Sequence, residues 1–235
     1  MARTRIDADL AAQQHQQYQA VLSSLGCELA TLPAEPNLAD SVFVEDTAIV
    51  LDELAVLCRP GVESRRPEVR SVEDLLQKYR TIASIQPPGT LDGGDLLHIG
   101  NVIYVGLSTR SNQSGFDQLS GIVAGYGFSV KTVEVTKCLH LKSAISAVAP
   151  DLLLLNPDWI DGSAFSGYEL IEVDREETHA ANALLVGQRV VYPSSFPHTM
   201  KKLVARGIDV ISVDISELQK AEGAVTCCSL IFKTS

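Results

Sequence analysis

At 235 residues, with 46% hydrophobic and 20% charged side chains, the chain can build one sizeable core and has the balance of a folded globular protein. Its net charge of −10 argues against nucleic acid, because a phosphate-binding surface needs a basic patch. The longest apolar runs, such as Leu152 to Leu155, are far too short to span a bilayer. The polar stretch Met1 to Ala20 has no signal-peptide character, so the cytoplasm is the expected compartment and no membrane the expected partner.

In chain order, residues 7–25 read as an amphipathic helix ended by Gly26, with a short strand over Cys27 to Leu32. Val42 to Val50 and Leu54 to Cys58 read as a hairpin closed by Asp52-Glu53 and stopped by Arg59-Pro60-Gly61. A helix over Pro67 to Arg80 follows. Leu96 to Ile99 and Val102 to Val105 form a hairpin around Gly100-Asn101, then come a helix near Ser114 to Tyr126 and a strand near Val130 to Val135.

The pattern then recurs. Ser143 to Val148 and Leu152 to Asn156 flank an Ala-Pro-Asp turn, and Ala183 to Val186 and Val190 to Tyr192 flank Gly187-Gln188. A helix near Pro197 to Arg206 precedes a strand near Val210 to Val213. The segment Asp158 to Tyr168, rich in Gly, Ser and Asp, reads as a mobile cover. Two echoes support an internal repeat: His98 to Tyr104 resembles Leu185 to Tyr192, and a Gly that ends a helix before a strand recurs at Gly26, Gly127 and Gly207. A repeated ββαβ unit within a single domain of residues 1–235 accounts for both.

The five cysteines are odd in number and show no CxxC spacing, which fits neither a disulfide framework nor a zinc ribbon. Cys27, Cys58 and Cys138 read as small core fillers. His15, His98, His179 and His198 show no ligand spacing. Three distant segments nonetheless supply an acid, an imidazole and a thiol: Leu91 to Asp95, Cys138 to Lys142 and Thr226 to Ser229. Taken singly, Asp92 to Asp95 reads as a turn and His140 as a strand-end histidine.

The same segments, with Phe43-Val44-Glu45-Asp46, Arg59-Pro60-Gly61, Ser64-Arg65-Arg66 and Ser108 to Gln113, resemble the dimethylarginine dimethylaminohydrolase family of the amidinotransferase (pentein) superfamily. The resemblance implies an α/β fold, a five-fold pseudosymmetric propeller of ββαβ modules, here with the first module shortened at the N-terminus. It implies hydrolysis of Nω-methylated arginine to citrulline and an alkylamine, with no metal or organic cofactor. Cys227 then matches the nucleophile and His140 the general acid/base, while Asp92 and Asp46 match the residues that grip the guanidinium. Glu45 supports Asp46, Arg65 and Arg110 match the cations for the α-carboxylate, Asp40 matches the group at the amino end, and Phe43 lines the alkyl stem. Cys228 and Arg66 read as structural.

The partner implied is therefore a small arginine analogue. A strand edge left open by the short first module could be covered by another subunit, giving a homo-oligomer. Two alternatives stay open: arginine deimination or hydrolysis of another guanidine or ureido amino acid, and a non-catalytic pentein used for binding, as in the ribosome anti-association factors.

Overall fold

The computed structural model describes residues 5–234, and its regular structure begins with α1 (Ala8–Ser24). The Asp7 carboxylate caps α1 by accepting the N–H groups of Asp9 and Leu10, and Gly26 leaves it at φ +88°. Four three-stranded sheets follow, all built one way: an antiparallel hairpin, then a crossover that returns the chain to a third strand parallel to the second.

The first sheet is β1 (Ala48–Val50), β2 (Leu54–Leu57) and β3 (Thr81–Ser84), with the crossover helix α2 (Val69–Leu76). The second is β4 (Leu96–Ile99), β5 (Val102–Leu107) and β6 (Ser129–Glu134), crossed by α3 (Gln113–Ala124). After the single turn α4 (Leu141–Ala144), the third sheet comprises β7 (Ile145–Ala149), β8 (Leu152–Leu155) and β9 (Glu169–Glu172). The fourth comprises β10 (Leu184–Val186), β11 (Arg189–Pro193) and β12 (Asp209–Val213), crossed by α5 (Pro197–Ala205) and followed by α6 (Ser216–Gln219).

These elements fall into two compact units, one of residues 1–31 and 143–226, the other of residues 32–142 and 227–235. In the second unit the fully buried Val56, Leu91, Ile103, Val105, Leu119 and Val123 join the first two sheets to α3. In the first unit Leu154, Val190, Tyr192 and Leu203 form the corresponding centre. Burying each of these large side chains stabilises the fold by roughly 1.5–3 kcal/mol before entropy is counted.

The ββαβ repeat expected from the echoes is present three times, the third sheet having a 3-10 turn, Gly162–Phe165, in place of the helix. Three local expectations are corrected, and two strands were not expected. Residues 27–32 form no strand, because among the described residues no second strand offers them a ladder. The sequence hides β3 and β9, short edge strands without a clean alternation of buried and exposed residues. Residues 44–47, expected inside a strand, form a 3-10 turn closed by the Thr47 hydroxyl donating to the Val44 carbonyl at 2.7 Å. The expected cover, residues 158–168, is instead the crossover of the third sheet, packed down through Ile160 and the fully buried Phe165.

Candidate active site

Most of the residues singled out from sequence lie in one unit, on the segments that lead into its strands. Asp46 sits on the 3-10 turn ahead of β1, and Asp92 starts the turn Gly93–Asp95 ahead of β4. His140 ends the bend that enters α4. The two carboxylates flank the imidazole: Nε2 lies 3.1 Å from Asp92 Oδ2, and Nδ1 lies 3.9 Å from Asp46 Oδ1. Asp92 is fully buried, with Asp46 at 5% and His140 at 8% exposure, so little water screens the three charges.

Two glycines make this approach possible. A Cβ on Gly93 would lie 1.8 Å from the Glu45 carbonyl oxygen, and one on Gly94 would lie 2.7 Å from His140 Nδ1 and 2.8 Å from Asp46 Oδ1. The Gly94 N–H donates to Asp46 Oδ1 at 2.9 Å, while the Gly61 N–H donates to Asp92 Oδ1 at 2.8 Å. Arg59-Pro60-Gly61 thereby serves the site through its backbone.

Charge states follow from these contacts. Burial alone would lower the pKa of His140, but the charge of Asp46, the hydrogen bond with Asp92 and the charges of Asp95 and Asp92 outweigh it and raise it to about 9. At neutral pH the ring is an imidazolium. Asp46 is held below the usual carboxylate range, since the charges of His140 and Arg65 and the donors on it overcome its burial.

Arg65, matched to the α-carboxylate from sequence, engages acids and carbonyls of the chain itself. Its guanidinium is buried and donates to Asp46 Oδ2 at 2.5 Å, to Glu68 Oε2 at 2.8 and 3.0 Å, and to the carbonyls of Phe43 and Asp40 at 3.2 and 3.3 Å. The physical reason is local: two buried acids, Asp46 and Glu68, need a cation, and a planar fork satisfies both. Arg110 is half-buried and carries its backbone N–H against Ser108 Oγ at 2.9 Å. Arg66 pairs with the exposed Glu63 and with the Pro60 carbonyl.

Cys227 lies on a turn over residues 225–228. Its carbonyl accepts the Glu45 N–H at 3.1 Å, tying the thiol-bearing residue to the Glu45–Asp46 segment. For the neighbouring Cys228, burial followed by the charges of Glu45 and Asp46 pushes the thiol up to about 12, so it stays protonated at neutral pH. Phe43 is buried and Asp40 is exposed. Glu45 is buried and forms an ion pair with Lys142. Asp46, Asp92 and His140 also offer one atom each within 4.8 Å of one another, a spacing that could hold a metal ion, although two of them already bond each other.

A family model described as N,N dimethylarginine dimethylhydrolase, eukaryotic, matches residues 2–232. The chain belongs to that family. Curated dimethylarginine dimethylaminohydrolases from Pseudomonas aeruginosa and Streptomyces coelicolor are 35% and 37% identical over 94% and 97% of the chain, each with 88% of the relative's length covered. The solved structure of a cysteine-to-serine variant of the Pseudomonas aeruginosa enzyme with citrulline superposes with a TM-score of 0.95, at 34% identity, over 99% of this chain and 92% of that one. An amidinotransferase from Microseira wollei superposes at 0.85 over 94% of this chain and 82% of that one with 15% identity, a likeness of fold alone. The dimethylargininase family thus gives this chain the pentein fold, an α/β architecture consistent with its four three-stranded sheets.

Sequence reasoning passed over four residues that support the candidate site: Lys142 on Glu45, Glu68 on Arg65, and Ser108 and Ser111 on Asp95. All but Glu68 stand inside the quoted motifs, so the signal was present without a role attached.

Proposed function

We propose that the chain hydrolyses Nω-methylated arginines, asymmetric dimethylarginine and monomethylarginine, to citrulline and an alkylamine. The observation that carries this reading is the His140 imidazole held between two buried carboxylates, in a family with a relative whose structure contains citrulline. A guanidinium is a poor electrophile because its charge is delocalised, so attack at its central carbon needs a fixed plane, a thiolate and an acid.

In this reading Asp46 holds the substrate guanidinium through Oδ1, its other oxygen being committed to Arg65. The Cys227 thiolate forms a C–S bond with the central carbon. Imidazolium His140 gives its proton to the departing nitrogen as that C–N bond breaks, leaving an S-alkylthiouronium and a free alkylamine. The now neutral ring takes a proton from water, whose oxygen attacks the same carbon, and the C–S bond breaks to release citrulline. Asp92 orients the ring and stabilises its charged form throughout. An ordinary thiol is only a few per cent ionised near neutrality, and the bound cation and the imidazolium both favour the thiolate.

Arg65 acts as the fixed counter-ion of Asp46, which leaves Arg110 to meet the α-carboxylate. Asp40 serves the amino end, Phe43 the alkyl stem, and Glu45, set by Lys142, the guanidinium side. A place in the cytoplasm and in arginine metabolism belongs to the same reading, supported by the substrate class and the cysteine spacing.

The deciding experiment supplies arginine, monomethylarginine, asymmetric dimethylarginine and citrulline separately and measures citrulline, ammonia and alkylamine. Alkylamine and citrulline in equal amounts from the methylated substrates are expected. Ammonia from arginine as the dominant product would overturn the proposal.

A further inference from the structure

We propose that Asp95 is a positioning residue: one buried carboxylate that sets the places of Asp92, Arg110 and the His140 segment together. Asp95 is fully buried, and its side chain does not serve its own turn. Oδ2 accepts the hydroxyls of Ser108 at 2.6 Å and Ser111 at 2.7 Å, and Oδ1 accepts the Leu141 N–H at 2.9 Å. Those partners lie 13, 16 and 46 residues away in sequence. Strand β5 is bare where the carboxylate enters, since a Cβ on Gly106 would lie 2.8 Å from Asp95 Oδ1.

Each donor leads onward to a group of the site. With its hydrogen pointed at Asp95, the Ser111 oxygen is free to accept, and it takes the Asp92 N–H at 3.0 Å. The Ser108 oxygen likewise takes the Arg110 N–H at 2.9 Å and, at a longer 3.3 Å, the Ser111 N–H. The Leu141 N–H fixes the peptide directly after His140. Burial raises the Asp95 pKa against the pull of its donors. As the acceptor of both hydroxyls the carboxylate orients them, so that Ser111 holds the backbone of Asp92 and Ser108 chiefly that of Arg110. In its ionised form the carboxylate is acceptor-only, and that sets the direction of every bond in this set. Replacing it by an amide would put a donor against a donor.

The two branches reach different parts of the site, which separates positioning from simple support. The Ser111 branch ends on Asp92 and hence on the His140 ring, so its loss acts on the chemical step. The Ser108 branch ends chiefly on Arg110, its bond to the Ser111 N–H being the longer, so its loss acts mainly on substrate binding. For kinetic purposes this inference rests on the hydrolase reading above.

The test compares wild type, Asp95→Asn, Ser111→Ala and Ser108→Ala in two measurements: kcat and KM for asymmetric dimethylarginine, and the His140 ring resonances by NMR. Misplacing a reacting group by about 1 Å costs on the order of a hundredfold in rate, and partial loosening less. Ser111→Ala is expected to lower kcat by about tenfold or more with little change in KM, and to move the His140 resonances. Ser108→Ala is expected to raise KM several-fold and leave those resonances in place. Asp95→Asn should show both effects. If the two serine variants change the same kinetic parameter by the same factor, or if Ser111→Ala leaves the His140 resonances unmoved, the proposal is wrong. Should Asp95→Asn fail to fold, the serine pair still decides. A wild type that yields no citrulline would sink the hydrolase reading alone, because the NMR comparison needs no turnover.

Discussion

In both the β4–β5 and the β10–β11 hairpins a glycine with positive φ makes the turn, Gly100 at +57° and Gly187 at +62°, and a third strand joins the second in parallel. What precedes the first strand differs. Ahead of β4 stand the carboxylates Asp92 and Asp95, both fully buried. Ahead of β10 stands Asn182, whose amide donates to Thr226 Oγ1 at 2.9 Å and accepts the Thr226 N–H at 3.2 Å. Ser146 brackets that asparagine, donating to the Ala181 carbonyl and accepting the Ala183 N–H.

A buried charge is costly unless cations or several donors answer it, whereas a satisfied amide costs little. The segment leading into the hairpin therefore carries charge where a proton must be held, and a neutral clamp where chain must only be fixed. The clamped residue is Thr226, one step before Cys227 in the chain. Four changes break or sharpen this contrast.

The largest effect belongs to the thiol. Cys227→Ser should lower citrulline formation by more than roughly a thousandfold, while Cys228→Ser should alter stability more than rate. Equal rate losses in two well-folded variants would leave the nucleophile unassigned.

Next comes the charge on His140. Its pKa is raised from 6.5 to about 9, so the stability it contributes is fully present below about 6.5 and is lost as pH rises through about 9. The difference is on the order of 3 kcal/mol. Urea midpoints measured from pH 6 to 10 should fall across that window in wild type, and the fall should shrink in His140→Gln.

Gly94→Ala tests the close approach itself. The added methyl would meet the imidazole and the Asp46 carboxylate inside contact distance, so the rate should drop by about a hundredfold at a stability cost of ~1–3 kcal/mol. Wild-type rates for that variant would mean that the ring stands elsewhere during turnover.

The smallest effect is expected at the neutral clamp. Asn182→Ala should cost about 1–3 kcal/mol of stability by removing both of its bonds to Thr226, with a rate loss well below that of Gly94→Ala. Thermal denaturation and kcat measured side by side would check both halves, and a rate loss larger than the Gly94→Ala one would reverse the assignment of roles.

Hairpins and helix ends were legible because local chemistry dictates them. Gly26, Gly100, Gly127, Gly187 and Gly207 all adopt positive φ where turns or helix ends were expected. The edge strands β3 and β9 were not legible, since their pairing with the middle strands rather than their own pattern defines them. Among the site residues, Asp46, Asp92, His140 and Cys227 stood out by type and motif. The engagement of Arg65 with Asp46 and Glu68 did not, because the pairing of a buried cation depends on which acids the fold buries beside it.

By itself the sequence determined the repeat, the acidic surface and the family, all of which are written in the order and kind of residues. Only the tertiary structure decided that one ring lies between two particular carboxylates and that Arg65 is already committed to internal partners. It also decided that Asp95 binds donors 13 to 46 residues away. Such choices turn on distances of a few tenths of an ångström between segments remote in the chain, and no local pattern of side chains encodes them.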